Sequence, residues 1–440
     1  MANLHPFRAY RFNPEITRDL ENVVTQPYDK ISPALQEEYY KRSPYNVVRV
    51  TKNYEKLQNP DTHYPDAAAT FREWLEQKAL VQDSESGFYA YDQEYEIDGE
   101  RKVRKGFIGL LDLKHSGSAI LPHERTLAEP KMDRLRLMRA TESNDDLIFM
   151  IYTDDKLAVS RLLEESVSTT SPEIQVKDDF GATHKLWQVS NPEIVKKVQA
   201  AMVPEELFIA DGHHRFETAL NYLKECEGNN WKPAAAESFD KRMVACFNSA
   251  DEGLTILPTH RLIRDLANFD SQAFLKSSAQ YFLVEPADSA EALWNRMKES
   301  RAKANVFGFY ARDTRSYILL RLKEESRIDP VLLAHSEVYR DLDVSILHAL
   351  ILERLLGIDE AKLVAQAHVD YAREGTACIR RVDQGEYQAV FFLNPTSVQQ
   401  VQRVALVGER MPQKSTDFYP KLLTGLLFMK MKITKGARSQ

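Results

Sequence analysis

A short polar box lies between an apolar run and a run with helical spacing in the segment LFIADGHHRFETAL, residues 207–220. The box consists of Asp211, Gly212, His213, His214 and Arg215. The flanking patterns predict a buried strand followed by a helix, which places the box at a helix N-terminus. Backbone N–H groups lack intrahelical partners there, and the helix dipole favours an anion. Glycine permits close backbone approach, arginine binds phosphate oxygens in bidentate fashion, and histidine shuttles protons.

The box, with Thr218 on the following helix, therefore predicts a phosphate-binding site. Asp211 is expected to cap the helix, to orient His213 or to hold a magnesium ion. The alternative is a plain turn in which Asp211 is only an N-cap and the histidines are solvated. A zinc site is not predicted, because adjacent histidines on one turn diverge and no third ligand is indicated nearby.

A second polar segment, LPHERTLAEPKMDRLRL at residues 121–137, is dense in charge. Its two prolines argue against a regular helix through PHERTLAEP and predict a loop, where active-site groups often lie. Glu124 or Asp133 is a candidate general base for a hydroxyl nucleophile, or a magnesium ligand. The candidate substrate-binding residues of this segment are His123, Arg125 and Arg134. The alternative is a solvated, ion-paired surface.

Two further motifs offer polar groups on turns. In PYDKIS, residues 27–32, Tyr28 is a candidate substrate-binding residue and Asp29 a further candidate base, unless Asp29 only bonds its own backbone. In MPQKST, residues 411–416, the glycines of a P-loop are missing, which excludes that assignment. Lys414, Ser415 and Thr416 are instead predicted to contact a phosphate or a carboxylate, ahead of a helix that contains Lys421.

The elements that must position these groups form a mixed α/β (α+β) pattern, in which helices and strands interleave without a fixed repeat. DGER, residues 98–101, predicts a tight hairpin between two alternating runs. YNVVRV and TACIRRV are interpreted as strands, and DVSILHALILERLLGI as a core helix. Domain boundaries are expected near residues 155 and 330.

Composition narrows the class of protein. The chain has 440 residues and a net charge of -7, which argues against duplex DNA as the main partner. Its three cysteines lie far apart and suggest neither a disulfide framework nor a cysteine-based metal site. No apolar run approaches a membrane span and the start does not read as a signal peptide, so a cytoplasmic protein is expected.

DGHHRFETAL resembles the Gly-x-x-Arg box of the ParB and sulfiredoxin superfamily. Within it, the segment is most similar to the free-serine kinases, whose box reads Asp-Gly-His-x-Arg and is matched by Asp211, Gly212, His213 and Arg215. A wider resemblance rests on QPYDKIS, PHERT followed by KMDRL, ADGHHRFETAL and GERMPQKSTDFYPKL, in that order. Together they resemble the family called domain of unknown function 1015, whose label states no activity.

The resemblance implies a ParB/sulfiredoxin-like nucleotide-binding region at residues 156–330, flanked by α/β regions at 1–155 and 331–440. It implies a kinase that uses ATP or ADP, with Mg²⁺, to phosphorylate free L-serine. A homodimer is a possible assembly. Two alternatives remain open: a ParB-type nucleotide-binding regulator, and a metal-dependent hydrolase using His213, His214 and His123.

Overall fold

The computed structural model describes residues 1–53, 63–124, 128–301, 303–365 and 367–436. The chain divides into two compact units, each assembled from segments that are distant in sequence. The first unit comprises Met1–Pro122, Thr126–Leu254 and Pro420–Gln440, and the second comprises His123–Arg125 and Thr255–Tyr419. No helix in the described ranges is both long and apolar enough to cross a membrane.

A mixed sheet of nine strands forms the centre of the first unit, as far as the chain is described. In spatial order its strands are Ile120–Leu121, Leu207–Asp211, Ile148–Tyr152, Lys241–Asn248, Glu100–Asp112, Phe88–Ile97, Thr183–Val189 and Ile174–Lys177, with Leu4–His5 paired to Glu100–Asp112. Leu207–Asp211 is parallel to Ile120–Leu121, and Ile148–Tyr152 is parallel to Lys241–Asn248. The remaining pairs of this sheet are antiparallel.

Helices and short strand pairs complete the first unit. The α-helices are Pro14–Thr17, Pro33–Arg42, Val48–Thr51, His63–Glu76, Ala128–Thr141, Ala158–Val167, Pro192–Met202 and His213–Gly228. The 3₁₀ turns are Leu20–Asn22, Tyr28–Lys30 and Gly117–Ala119. The short pairs join Tyr10–Phe12 to Leu80–Gln82, Ser143–Asn144 to Met429–Lys430, and Lys232–Pro233 to Ile433–Thr434.

The second unit has its own antiparallel sheet and its own core. In spatial order the strands are Phe282–Ala287, Tyr317–Leu322, Val306–Ala311, Ala389–Phe392, His260–Ile263 and Val369–Ala372. A short pair joins Thr255–Ile256 to Phe418–Tyr419. The helical segments are Ser271–Ser278, Ala290–Ser300, Glu324–Ile328 (3₁₀), Pro330–Leu333, Glu337–Arg340, Asp343–Ile346, Leu347–Leu355 (π), Glu360–Val364, Gly375–Asp383 and Val398–Leu406.

The predicted class, mixed α/β, is confirmed, and so are two local predictions. The DGER hairpin joins Phe88–Ile97 to Glu100–Asp112 through Asp98 and Gly99, whose φ values of 51° and 77° suit a tight two-residue turn. The apolar stripe of DVSILHALILERLLGI is helical and buried, as expected for a core element.

Three local predictions are wrong, each for a physical reason. YNVVRV turns into helix Val48–Thr51, where the Asn46 side chain accepts a hydrogen bond from the Val48 amide at 3.0 Å. TACIRRV is helical, because its buried residues Cys378 and Val382 are four apart and share one helix face. Lys421 lies outside any helix, since Gly425, at φ 90°, sits in the left-handed region and interrupts the apolar run that follows it.

Candidate functional site

The polar box occupies the junction between strand Leu207–Asp211 and helix His213–Gly228. Gly212 is the N-cap in a left-handed conformation, with φ at 97°, and the amide of Phe216 donates to its carbonyl at 2.9 Å. A Cβ at position 212 would lie 3.0 Å from Arg215 Nε. Glycine is therefore required both by the backbone angle and by the close approach of Arg215. A glycine cap also brings no side chain that could compete with a ligand for the amide groups of the first turn.

Two cations flank the carboxylate of Asp211. Lys421 Nζ donates to Asp211 Oδ2 at 2.7 Å, and Arg215 Nη2 donates to Asp211 Oδ1 at 3.2 Å. Burial acts to raise the pKa of Asp211, but the charges of Lys421 and Arg215 outweigh it and hold that pKa well below its usual range. Asp211 is therefore ionised, and both of its oxygens are engaged by cations. It orients Arg215 and Lys421 beside the helix N-terminus.

Arg215 is 5% exposed, and its guanidinium has several partners. Besides the hydrogen bond from Nη2 to Asp211, Nη1 donates to the carbonyl of Leu147, and Nε lies 3.9 Å from Asp146 Oδ2. Burial alone would lower the pKa of Arg215, but Asp146 and Asp211 raise it above its ordinary value. The guanidinium is thus a fixed, permanently charged group at the first turn of the helix.

The PYDKIS motif lies near the box. Residues Tyr28–Lys30 form a 3₁₀ turn, and the guanidinium carbon of Arg134 lies 4.3 Å from the centre of the Tyr28 ring. Burial raises the pKa of Tyr28 to about 12. The charge of Asp29 acts on Arg215, and that of Lys30 acts on Asp211. The structure thus brings together two motifs that are about 180 residues apart in the chain.

Asp133 and Arg134, from helix Ala128–Thr141, form an ion pair in the same unit. Arg134 Nη2 lies 2.6 Å from Asp133 Oδ2, and the hydroxyl of Tyr64 donates to Oδ1 at 2.9 Å. Burial acts to raise the pKa of Asp133, but Arg134 and these hydrogen bonds bring it below the ordinary value. A carboxylate stabilised in this way is a weak proton acceptor.

The remaining predicted residues of the first unit lie on the helix that follows the box. His213 is buried at the first helical position and His214 is half-buried. Thr218 is fully buried and its hydroxyl donates to the carbonyl of Lys131 at 3.3 Å.

Sequence reasoning missed a group of charged residues next to Arg215. Asp145, Asp146 and Arg242 are all less than a tenth exposed and line a pocket together with Arg134 and Arg215. Arg242 Nη2 donates to Asp146 Oδ1. The available signal was the acidic pair of ESNDD immediately before the apolar run of a buried strand. Nothing local marked Arg242 as a partner, because its contact with Asp146 spans 96 positions.

In the second unit, the PHERT and MPQKST segments contact each other. The amide of Lys414 donates to Glu124 Oε1 at 3.0 Å, and Thr416 Oγ1 lies 3.2 Å from His123 Nε2. Lys414 has a φ of 57°, in the left-handed region. Ser415 is buried and donates to the carbonyl of Pro412. Arg125 lies outside the described residues.

Arg261 donates a hydrogen bond to the MPQKST segment and was not predicted as a functional residue. It is 1% exposed, and its Nη2 donates to the carbonyl of Lys414 at 3.1 Å and faces His348 Nε2 at 3.3 Å. Burial lowers the pKa of Arg261 to about 10 and lowers that of His348 well below its usual value. His348 is therefore neutral and can accept from Arg261.

The part of the chain that is described has no preformed magnesium site. No cluster of three or more His, Cys, Asp or Glu side chains there is arranged to hold a metal ion. Asp211, predicted as a magnesium ligand, has both carboxylate oxygens engaged by Lys421 and Arg215. No protein residue is therefore assigned as a metal ligand in the chemistry proposed for this chain.

Comparison with known proteins gives one family match and several distant structural likenesses. The model of the family described as "Protein of unknown function (DUF1015)" matches residues 4–345. No curated protein matches the chain.

Three solved structures illustrate the structural likenesses. A conserved hypothetical protein from Pyrococcus furiosus is 12% identical, with a TM-score of 0.33, over 69% of this chain and 89% of its own. A free serine kinase in complex with AMP is 10% identical, with a TM-score of 0.35, over 68% and 84%. SbnI with C-terminal truncation from Staphylococcus aureus is 12% identical, with a TM-score of 0.36, over 72% and 85%. At these TM-scores the likeness establishes neither a shared fold nor a shared activity.

Proposed function

We propose that this chain, which belongs to the DUF1015 family, is an ATP- or ADP-dependent small-molecule kinase that phosphorylates free L-serine. The observation that carries the proposal is the junction at Asp211–Arg215. There a glycine N-cap in the left-handed region leads into a helix of 16 residues, and two buried cations are fixed beside its N-terminus.

The electrostatics of this junction favour a polyanion. Lys421 and Arg215 carry two positive charges against the single negative charge of Asp211, and the helix dipole adds a partial positive charge of about half a unit. The carboxylate of Asp146 forms ion pairs with both Arg215 and Arg242. The phosphates of a nucleotide would meet the amide groups of the first turn, with His213 as a side-chain donor.

Arg215 and Asp211 act in this proposal as positioning residues. Because both are tied into the ion-pair network, they hold the first turn and the Lys421 ammonium in a fixed arrangement before any ligand arrives. Preorganised charge of this kind stabilises phosphoryl transfer without reorganisation cost during the reaction.

The chemical step forms a bond between the serine hydroxyl oxygen and the transferred phosphorus. The bond from that phosphorus to the remaining nucleotide breaks, and the hydroxyl proton passes to a carboxylate base. Of the three predicted bases, Asp133 is the least suited, because its ion pair with Arg134 lowers its pKa. Asp29, which lies near the box in the first unit, is the proposed base. Glu124 as a base, and Lys414, Ser415 and Thr416 as phosphate contacts, stay predictions from the sequence that substitution would test.

The test is direct. The purified chain is incubated with Mg²⁺, L-serine and either ATP or ADP, and phosphoserine is quantified by mass spectrometry. Arg215→Lys keeps the charge but cannot reproduce the donors to Leu147 and Asp211, so we expect product formation to fall at least about tenfold. The matched control is Arg139→Gln, which removes an exposed arginine that pairs with Glu225 on the same helix as the box.

We expect Arg139→Gln to match the unsubstituted chain. Absence of phosphoserine with both nucleotides would refute the kinase proposal. Nucleotide binding without any product would favour the ParB-type regulator instead. Comparing Glu124→Gln with Asp29→Asn then distinguishes the two candidate bases, since only loss of the base lowers kcat while nucleotide affinity is retained.

A further inference from the structure

Lys421, whose ammonium pairs with Asp211, lies on buried backbone without regular structure. Residues 420–423 are buried and belong to no helix or strand. Strand Leu207–Asp211 and helix His213–Gly228 hold the other groups of the box through their own backbone hydrogen bonds. Buried carbonyls outside such elements need donors from elsewhere in the protein. The position of Lys421 therefore depends on the side chains that supply those donors.

Two side chains of the central sheet supply them. Arg104 Nη2 donates to the carbonyl of Pro420, and Gln93 Nε2 donates to the carbonyl of Lys421 at 3.0 Å. Gln93 and Arg104 lie directly opposite each other on neighbouring antiparallel strands, and Arg104 Nε donates to Gln93 Oε1 at 2.9 Å. The two donors thus form one pair fixed to the sheet. They hold backbone that lies 316 and 328 positions away in the chain.

The orientation of the Gln93 amide is fixed from two sides. The guanidinium of Arg104 has only donors, so the amide oxygen must face it. On the other side, Gln93 Nε2 lies 3.3 Å from Nδ1 of His184, a buried histidine whose Nε2 lies 3.4 Å from Asp178 Oδ2. Burial lowers the pKa of His184, so the ring is neutral, and the proton on Nε2 that Asp178 favours leaves Nδ1 as an acceptor. The amide therefore has one orientation, with its nitrogen towards the Lys421 carbonyl.

Arg104 is a charge placed in the core. It is fully buried, and its guanidinium carbon lies 4.6 Å from the ring centre of Phe149 and 4.8 Å from that of Phe247. Burial lowers the pKa of Arg104 to about 10, so the group is still cationic at neutral pH. A buried charge costs free energy that an apolar side chain of similar size does not. The arginine is explained by its forked, planar donors, which engage Gln93 and Pro420 at the same time.

We propose that Arg104 and Gln93 are positioning residues that fix the Pro420–Lys421 backbone, so that the Lys421 ammonium lies against Asp211 beside the start of helix His213–Gly228. Each acts through Lys421 and not by touching a ligand. Contact of the ammonium with nucleotide phosphates rests on the proposed function above, whereas the positioning does not. The alternative is that the two side chains only satisfy buried carbonyls, in which case any effect of replacing them follows the stability of the chain.

Gln93→Glu separates these two roles. The carboxylate has the size of the amide and gives Arg104 an oppositely charged partner, so we expect the urea concentration at the midpoint of unfolding to be retained or raised. The carboxylate cannot donate, however, so the Lys421 carbonyl loses its hydrogen bond and faces a second oxygen atom. We therefore expect Lys421 to move away from Asp211 in a chain that is folded and stable.

Two measurements follow Lys421. The first is the ¹H–¹⁵N NMR signal of its ammonium, which exchanges slowly because the residue is buried, and which is assigned by its absence from Lys421→Met. We expect this signal to shift or to disappear in Gln93→Glu. The second is titration calorimetry with ADP, in which we expect Gln93→Glu to bind at least about tenfold more weakly, the effect of a lost hydrogen bond to a charged group.

A double variant shows whether Gln93 acts through Lys421. Once Lys421→Met has removed the ammonium, adding Gln93→Glu should change ADP affinity by less than about twofold, whereas independent effects would add. The matched control is Arg101→Gln, which removes an arginine on the same strand as Arg104 whose side chain is 74% exposed. We expect Arg101→Gln to leave both the ammonium signal and the ADP affinity unchanged.

An unchanged ammonium signal in folded Gln93→Glu would overturn the positioning role, and so would a loss of ADP affinity that persists undiminished in the Lys421→Met background. If Gln93→Glu does not fold, Arg104→Lys replaces it, because lysine keeps the positive charge but lacks the forked donors, and the same signal should change. Absence of ADP binding by the unsubstituted chain would refute the nucleotide site alone, since the ammonium signal still tests the positioning.

Discussion

Replacing Gly212 with alanine tests whether the box is a phosphate cradle or only a turn. Gly212 has a φ of 97°, and an alanine in the left-handed region costs about 1–2 kcal/mol. The added Cβ would also lie 3.0 Å from Arg215 Nε, so Arg215 must shift away from Asp211 and Asp146. We therefore expect the free energy of unfolding, measured by urea denaturation, to fall by at least this amount.

Gly181→Ala is the matched control. Gly181 has a φ of 89°, and a Cβ added there would meet no atom within 4 Å, so alanine carries the same backbone cost without displacing any neighbour. We expect a loss of about 1–2 kcal/mol in Gly181→Ala as well. Nucleotide affinity should separate the two variants, because only position 212 adjoins the amides that meet the phosphates.

Titration calorimetry with ADP gives the decisive comparison. A tenfold loss of affinity corresponds to about 1.4 kcal/mol, and we expect Gly212→Ala to lose at least that much while Gly181→Ala loses none. If Gly212→Ala bound ADP as tightly as Gly181→Ala, the box would be a structural turn and the phosphate site would have to lie elsewhere.

Other predictions concern the buried charges. Lys421→Met removes one of the two cations that are hydrogen-bonded to Asp211 and should cost about 3 kcal/mol of unfolding free energy, the low end for a broken buried pair because Asp211 is partly exposed. A double variant with Asp211→Asn should recover part of this loss, and additive losses would contradict the ion pair. Because the pKa of Asp211 is lower in the folded state than its unfolded value of 3.8, its ionisation stabilises the fold above pH 3.8, and this stabilisation is lost as the pH falls below that value. Asp211→Asn should therefore flatten the acid side of the plot of unfolding free energy against pH. An unchanged plot would be inconsistent with the pairing. Burial first, and then the charge of Asp146, raise the pKa of Asp145, which favours its protonated form in the folded state. Stability should therefore fall as pH rises above the ordinary 3.8, and Asp145→Asn should remove that fall when unfolding is followed by urea titration across this range.

The sequence was most informative where structure is set by neighbouring residues. The strand, glycine and helix around Asp211–Arg215 follow from apolar periodicity and one turn residue, and the hairpin at Asp98 and Gly99 follows from its two turn residues. Both structures depend on neighbouring residues, so the local sequence pattern predicts them.

The remaining elements depend on contacts that no local pattern contains. Lys421 reaches Asp211 across 210 positions, and Arg242 reaches Asp146 across 96. The sequence of helix Gly375–Asp383 predicts a strand, because its short apolar run suits either element until packing in the core selects one face. Ser143 Oγ and Asp145 Oδ2 are buried without a hydrogen-bond partner among the described residues, which depends on the three-dimensional surroundings and not on the local sequence.

A crystal structure of the chain with bound ADP tests the central claim most directly. We expect the phosphates to contact the backbone amides at the start of helix His213–Gly228, close to His213 and the Lys421 ammonium. Phosphates bound elsewhere, with the first turn of this helix empty, would contradict the account.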